Sequence, residues 1–116
     1  VFIGPFVEIQ KNVKIGNNCR IQSHSFISEN TIIGDNVFVS HGVMFVNDRF
    51  KDGLRASQKK NKLDRILIGN NVNIGTNSTI LPVKICDNVT IGAASLVLDD
   101  INIEGIYYGS PIKEKN

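Results

Sequence analysis

The chain has 116 residues, which is the size of one domain, and its 41% hydrophobic and 21% charged content is typical of a globular protein. Its apolar runs are far shorter than the roughly 18 residues that a transmembrane helix needs, and no signal peptide opens the chain. A net charge of +2 is too small to indicate nucleic-acid binding. We therefore expect a cytoplasmic protein with neither membrane nor nucleic-acid partners.

A large aliphatic or aromatic residue returns at every sixth position through the first part of the chain. The series comprises Ile3, Ile9, Ile15, Ile21, Ile27, Ile33, Val39 and Phe45. Six residues advance an α-helix by about 600°, so these side chains would scatter over several helix faces. In short strands the same spacing points one side chain inward per unit and leaves room for a turn. Three such units close one triangular coil.

Two further residue types follow the same spacing. Asn stands three places after the inward residue, where it tolerates a left-handed backbone, and Gly stands one place after it, where a side chain would crowd the bend. The two sets are Asn12, Asn18, Asn30, Asn36, Asn71, Asn77 and Asn88, and Gly4, Gly16, Gly34, Gly69, Gly75 and Gly92. The pattern predicts an all-β chain folded as a parallel β-helix of hexapeptide type, shaped as a triangular prism.

The positions where the repeat stops divide this single domain, residues 1–116, into four parts. We predict first coils over residues 1–47, a protruding basic loop over 48–65, C-terminal coils over 66–98, and a terminal cap over 99–116. The unit between Ile80 and Ile85 is one residue short, which predicts a tightened corner at Leu81–Lys84. The chain begins inside a repeat, without an initiator Met, which leaves open whether it lacks upstream coils.

Several segments resemble the left-handed β-helix acyltransferases, the hexapeptide-repeat family. They are IGNNVNIGTNSTILP (68–82), ICDNVTIGAASLV (85–97) and the tail GSPIK (109–113). FIGPFVEIQKNVKIG (2–16) and VSHGVMFVND (39–48) resemble the branch that acetylates the 3-amino group of nucleotide-linked sugars for surface polysaccharide. The resemblance implies a left-handed coil, acetyl-CoA as acyl donor, a UDP- or dTDP-sugar as acceptor, and a homotrimer with active sites between subunits.

Asn47 is the first candidate catalytic residue, because the resemblance places it where sugar O-acetyltransferases of the family carry a basic His. An amide cannot accept a proton at neutral pH, so Asn47 favours direct attack by an amine that it orients through hydrogen bonds. Asp48 is a candidate to hold the substrate ammonium, or alternatively a loop-start cap. His41 is a candidate proton acceptor or substrate contact, or alternatively a surface residue. The same alternative applies to His24.

The resemblance also implies a set of cofactor-binding residues. Gly75 and Thr76 match the place where the family polarises the thioester carbonyl through a backbone N–H. Gly92 and Ala93 match the place where the pantetheine arm lies against the chain. Lys113 matches a basic residue that meets the CoA phosphates. The pair Leu98–Asp99 departs from the family pattern, and an acidic Asp99 would repel phosphate.

The basic loop fits a diphosphate ligand by charge, although solvated lysines are the competing interpretation. Two other functions stay open: an O-acetyltransferase of sugar or serine type with His41 as base, and a non-catalytic β-helix that only binds. A metal-dependent hydratase on this fold needs three His ligands, and the chain has only His24 and His41. Cys19 and Cys86 have no metal-ligand spacing and are expected to be packing thiols, so we predict no metal site.

Overall fold

A computed structural model describes residues 1–50, 53–55 and 65–115 of the chain. Within these residues the strands are short and evenly spaced. They are β1 (Phe2–Ile3), β2 (Glu8–Ile9), β3 (Lys14–Ile15), β4 (Arg20–Ile21), β5 (Phe26–Ile27), β6 (Ile32–Ile33), β7 (Phe38–Val39), β8 (Met44–Phe45), β9 (Leu67–Ile68), β10 (Asn73–Ile74), β11 (Thr79–Ile80), β12 (Lys84–Ile85), β13 (Val89–Ile91), β14 (Leu96–Val97), β15 (Gly105–Gly109) and β16 (Ile112–Glu114). No helix in this part of the chain is long and apolar enough to cross a membrane.

The strands form three sheets that are the faces of a prism. Face 1 has the order β1-β4-β7-β10-β13-β15-β16, face 2 contains β2, β5, β8, β11 and β14, and face 3 contains β3, β6, β9 and β12. All pairings are parallel except that of β15 with β16. The chain is thus an all-β solenoid of about five turns, consistent with a left-handed β-helix, and the predicted fold class is confirmed.

The sixth-position residues form the core, as the repeat predicts. Each coil contributes aliphatic side chains that are stacked in register with those of the next coil, for example Ile21 on Val39 and Val39 on Ile74. Phe45 is the largest of the fully buried side chains. Ile3 and Ile9 are 42% and 38% exposed because the described residues cover the first coil on one side only. The inward-facing side chains are therefore more buried in the second coil than in the first.

The turns between strands stack into three edges. Edge 1–2 joins face 1 to face 2, edge 2–3 joins face 2 to face 3, and edge 3–1 joins face 3 back to face 1. All seven predicted corner asparagines have left-handed backbones, with φ between 57° and 66°. Phe6, His24, Gly42 and Ala94 occupy the same left-handed position of the turn on edge 1–2. The positional prediction for Asn is therefore confirmed, and the same conformation is adopted by Phe6 and Ala94, which are residue types that seldom enter it.

Edge 3–1 is held by a ladder of side-chain amides and carboxylates that cap the backbone of the preceding coil. The N–H of Asn17 donates to Asp35 Oδ1 at 2.8 Å, the N–H of Asp35 to Asn70 Oδ1 at 2.8 Å, and the N–H of Asn70 to Asp87 Oδ1 at 2.7 Å. Each bond satisfies a turn N–H that the strand ladder leaves without a partner. The ladder thus fixes the alignment of successive coils.

The three edges differ in how constant their turns are. Each of the five turns on edge 1–2 has four residues between strands, whereas the long insertion and the one-residue shortening of the repeat both fall on edge 2–3. There the chain leaves the coil after Phe45 and returns at Leu67, and the later turn Leu81–Val83 has three residues, the tightened corner that the spacing predicts. The register of β12 with β9 is nevertheless intact, with Ile85 opposite Ile68.

The C-terminal residues cover the last coil. Ile101 makes a single parallel bridge to Ile85 on face 3. Strand β15 then extends face 1 beside β13, and β16 folds back on it in antiparallel pairing, with Tyr108 opposite Lys113. The parallel ladder of face 1 therefore ends in a hairpin.

Candidate active site

Edge 1–2 brings most of the predicted site residues into one column. Backbone bonds join equivalent turn positions of successive coils: Gly42 N–H donates to Ser23 O at 2.9 Å, Asn77 N–H to His41 O at 3.0 Å, and Ala94 N–H to Thr76 O at 2.7 Å. The carbonyls of Ser23, His41, Thr76 and Ala93 therefore occupy one line along the prism, with coils about 4.8 Å apart. His41, Thr76 and Ala93, which stand far apart in the sequence, share this line.

His41 is exposed on this edge and is held by a neighbour that the sequence reasoning did not select. Its Nδ1 lies 2.9 Å from Ser23 Oγ, one coil earlier. If the ring donates from Nδ1–H to the serine, its Nε2 carries a lone pair and can accept a proton from a substrate. If the serine donates instead, Nε2 carries the hydrogen. The tautomer therefore decides whether His41 can act as a base.

On edge 1–2, Gly75 and Gly92 place no side chain beside Thr76 and Ala93. A Cβ placed on Gly75 would lie 2.5 Å from the nitrogen of Ala93 and 2.6 Å from the carbonyl carbon of Gly92. Buried hydroxyls hold the turn from inside, since Ser78 Oγ and Ser95 Oγ donate to the Gly92 carbonyl at 3.0 and 2.8 Å. The backbones of two successive coils therefore lie in close contact at Gly75.

Asn47 and Asp48 lie on a different edge from His41. They follow β8, where the chain leaves edge 2–3, and both are half-buried. Asp48 Oδ1 accepts the N–H of Phe50 at 2.9 Å, which is the loop-start cap that the sequence left as an alternative. Strand β8 separates Asn47 from His41, so the fold of the chain does not bring these two candidates together.

Arg49 fixes the direction in which the loop leaves the prism. Its Nη2 donates to the carbonyls of Pro82 at 2.8 Å and Leu98 at 3.2 Å, which belong to later turns on the same edge. The loop therefore starts along edge 2–3 towards the C-terminal end. Residues 51–52 and 56–64, including Lys51, Lys59, Lys60 and Lys62, are outside the described residues. The predicted contact of the basic loop with a diphosphate therefore stays a prediction.

Lys113 lies apart from the column, on β16. It lines a pocket of about 360 Å³ together with Asp99, Tyr107 and Glu114. Asp99, the acidic residue that departs from the family pattern, therefore shares a pocket with Lys113, the residue predicted to contact the CoA phosphates. Partial desolvation raises the pKa of Tyr107, and the charges of Glu114 and Cys86 add to the increase. The Tyr107 hydroxyl donates to Ile103 O at 2.6 Å, which ties the hairpin to the last turn.

Sequence reasoning missed Ser23, Arg49 and the ring contact between Phe6 and His24. Ser23 precedes His41 by 18 residues, the length of one coil, so the contact between them could have been predicted from the repeat. The same spacing separates Phe6 from His24, whose rings stack with centroids 5.1 Å apart. The contacts of Arg49 could not be predicted in this way. Its partners follow the loop, and the 18-residue spacing between coils does not hold across the loop.

Two family models match the chain. The bacterial transferase hexapeptide model (six repeats) matches residues 1–29, and the hexapeptide repeat of succinyl-transferase matches residues 65–98. Both stretches belong to coils of the solenoid. The repeats of this chain are therefore similar, in these two stretches, to those of hexapeptide-repeat transferases.

Several solved structures of similar fold are acyltransferases. A maltose O-acetyltransferase from Clostridium difficile 630 is 27% identical with a TM-score of 0.83, over 97% of this chain and 64% of that chain. A hexapeptide-repeat acetyltransferase from Vibrio cholerae O1 biovar eltor, complexed with acetyl coenzyme A, is 21% identical with a TM-score of 0.82, over 97% and 65%. This chain spans less than two thirds of the length of either enzyme.

A third structure is a mutant N-acyltransferase from Bacillus cereus in complex with dTDP and coenzyme A. It is 21% identical with a TM-score of 0.67, over 98% of this chain and 82% of that chain. The likenesses at 21% concern the fold. The family models describe hexapeptide-repeat transferases, and the likeness at 27% identity is to an acetyltransferase.

Proposed function

We propose that this protein transfers the acetyl group of acetyl-CoA to the amino group of a nucleotide-linked (UDP or dTDP) 3-amino sugar used for surface polysaccharide. The supporting observation is the column on edge 1–2, which aligns His41, Thr76 and Ala93 beside close-approach glycines. We place the reaction in the cytoplasm, where the free thiols of Cys19 and Cys86 stay reduced.

The acyl donor is proposed to lie along edge 1–2. The Gly75 N–H donates to Ile91 O at 2.8 Å, so the thioester carbonyl would accept the backbone N–H of Thr76, and the pantetheine arm would run past Gly92 and Ala93. Preorganised N–H donors of this kind stabilise the oxyanion that forms during acyl transfer. The acetyl-CoA complex of the Vibrio cholerae acetyltransferase supports this choice of donor. Lys113 is the proposed phosphate contact, weakened by Asp99 in the same pocket.

The amine of the sugar attacks the thioester carbon, so that a C–N bond forms, the C–S bond breaks, and the CoA thiolate leaves. The thiolate, or His41, takes the proton released from the amine. Asn47 would orient the amine by hydrogen bonding, and such positioning supplies a large part of many rate enhancements. Asp48 would hold the ammonium form before it loses its proton.

A homotrimer is part of this proposal because Asn47 and His41 lie on different edges of one coil. If edge 2–3 of one subunit lies against edge 1–2 of the next, Asn47 of the first faces the column of the second. A solenoid with a packed interior has no internal cavity for a substrate, so a concave site at a subunit boundary suits the fold.

The test measures thiol release from acetyl-CoA in the presence of UDP- and dTDP-linked amino sugars, with the corresponding hydroxyl sugars as controls. We expect release only with an amino sugar, and a trimer by light scattering. Asn47→Ala should lower kcat by more than tenfold without changing the trimer, since positioning effects are of this order or larger. A folded trimer with no turnover on any amino-sugar nucleotide would refute the assignment.

A sugar or serine-type O-acetyltransferase is the second candidate, and the Ser23–His41 contact favours it. A hydroxyl needs a general base, and a serine that accepts Nδ1–H would leave Nε2 free for that task. Replacing His41 with Ala separates the two candidates. General-base catalysis typically contributes about 100- to 10,000-fold, so an O-acetyltransferase should lose this much, whereas direct attack by an amine should lose far less.

A further inference from the structure

Arg49 connects the start of the loop to two later turns of edge 2–3. Its Nη2 donates to the carbonyls of Pro82 at 2.8 Å and Leu98 at 3.2 Å. A guanidinium Nη2 carries two hydrogens, so one nitrogen serves both carbonyls. The partners stand 33 and 49 residues after Arg49 in the sequence, so this side chain joins the loop to two further coils.

Both carbonyls belong to turns whose positions are fixed by other contacts. Next to Pro82, whose ring restricts its own φ, Leu81 N–H donates to Val97 O at 3.1 Å. In the turn after Val97, Asp100 Oδ1 accepts Lys84 N–H at 2.8 Å. The guanidinium therefore binds to points of the coil that are themselves held in place.

Asn47 lies just beyond the last strand pairing before the loop. Val46 N–H donates to Ile80 O at 2.8 Å, as part of the ladder between successive coils. After Asn47, Asp48 Oδ1 accepts Phe50 N–H at 2.9 Å, a local bond that shapes the loop start but joins it to no other coil. Asn47 is thus held by the strand ladder on one side and by the arginine contacts two residues later on the other.

We propose that Arg49 is a positioning residue, whose two bonds hold Asn47 against the amine of the acceptor sugar. The proposal rests on the proposed function, because it states what keeps in place the residue that orients the amine. Arg49 is exposed, and exposed polar contacts contribute little to the free energy of unfolding. Such contacts still fix local geometry, and a misplacement of about 1 Å lowers a rate by about 100-fold in sensitive sites.

Binding of a phosphate is the other role expected of an arginine in a basic loop. In this structure Arg49 Nη2 is directed to two carbonyls, so this nitrogen is not offered to a ligand. The two roles also differ in kinetics. Loss of a phosphate contact that the bound substrate and the transition state share raises KM, whereas loss of alignment in the transition state lowers kcat.

The test measures thiol release from acetyl-CoA with an amino-sugar nucleotide, for wild type, Arg49→Ala and Arg49→Lys. We expect Arg49→Ala to lower kcat about 10- to 100-fold and to leave the KM of both substrates within about twofold. Lysine has no planar fork for two carbonyls, so Arg49→Lys should recover only part of the lost kcat. Arg20→Ala is the matched control and should keep the wild-type kcat. Arg20 is also exposed and also contacts another coil, with its guanidinium carbon 4.2 Å from the centre of the Phe2 ring on face 1.

The double variant Asn47→Ala/Arg49→Ala tests whether Arg49 acts through Asn47. Residues that act as a unit have non-additive effects, so the double variant should be no slower than Asn47→Ala alone. Arg49→Ala should have the wild-type midpoint in urea, since the contacts of Arg49 are exposed. Losses in kcat that multiply in the double variant would overturn the proposal, as would a lowered midpoint that accounts for the lost activity.

Hydrogen exchange supplies a measurement that does not depend on turnover. The Phe50 amide, which donates to Asp48, should exchange faster in Arg49→Ala than in wild type or Arg20→Ala, because the loop start has lost its connection to the coils. Unchanged exchange would contradict the proposal, and so would wild-type kcat in Arg49→Ala or a change confined to the KM of the nucleotide sugar. In each of these cases turnover by the wild type would still support the proposed function. No turnover by the wild type would refute that function and, with it, this role of Arg49.

Discussion

Gly75→Ala and Gly92→Ala form a matched pair that tests how closely the coils approach on edge 1–2. Neither glycine has a positive φ, so alanine is compatible with the backbone at both sites. An alanine in a compatible conformation stabilises a protein by about 0.4–1 kcal/mol, because it restricts the unfolded chain. The two sites differ in what the new methyl group meets.

At Gly75 the added Cβ would lie 2.5 Å from Ala93 N and 2.6 Å from the Gly92 carbonyl carbon, and both are backbone atoms that cannot rotate away. At Gly92 the nearest atom is Tyr108 Cβ at 3.0 Å, and the next is 3.8 Å away. Overpacking of this kind costs about 1–3 kcal/mol. We therefore expect Gly75→Ala to lower the free energy of unfolding by about 1–2 kcal/mol, and Gly92→Ala to change it by less than about 0.5 kcal/mol.

Urea unfolding followed by circular dichroism measures both values, with the slope of the transition checked for a common unfolded state. Gly75→Ala should also weaken acetyl-CoA binding, since pushing Ala93 away moves the backbone that the pantetheine arm would meet. Equal stability of the two variants would refute the reasoning, because it would mean that the edge relaxes at no cost.

Two further predictions follow from single contacts. The pKa of Tyr107 is raised, so the native state keeps a proton that the unfolded chain loses near pH 10, and stability should fall as pH rises from about 10 through the raised value. Tyr107→Phe should remove this part of the pH dependence in urea titrations, and an unchanged slope would contradict the assignment. Ser23→Ala should change the tautomer populations of His41 in nitrogen NMR, while Ser40→Ala should not, and identical spectra for wild type and Ser23→Ala would show that the serine does not orient the ring.

The repeat made the fold predictable because each residue type in it has one geometric role. Isoleucine and valine at the sixth position define the core, and Asn at the corner adopts the left-handed conformation that its side chain tolerates. These roles are local, so they can be assigned without knowing which coils become neighbours. The tightened corner at Leu81–Val83 was predictable for the same reason.

The contacts between coils were harder to predict. Ser23 and His41 meet because one coil is 18 residues long, and this pairing was open to calculation. Arg49 contacts Pro82 and Leu98 because of the path that the chain takes after Phe45, and the six-residue repeat does not specify that path. Whether Asn47 lies near the His41 of another copy depends on the proposed assembly, which the repeat of one chain does not encode.

Edge 2–3 contains both the long insertion and the shortened turn, so it is the edge on which new sequence should be tolerated best. Edge 1–2 keeps four residues per turn, and the Asn17–Asp35–Asn70–Asp87 ladder clamps edge 3–1. A foreign peptide or a small domain inserted between Ile27 and Ile32, one coil below the natural loop, should leave the strand pairing intact. The same insertion at the Val39–Met44 turn would break the column of His41 and Thr76. Edges 1–2 and 3–1 thus hold the coils in register, whereas edge 2–3 should tolerate inserted sequence.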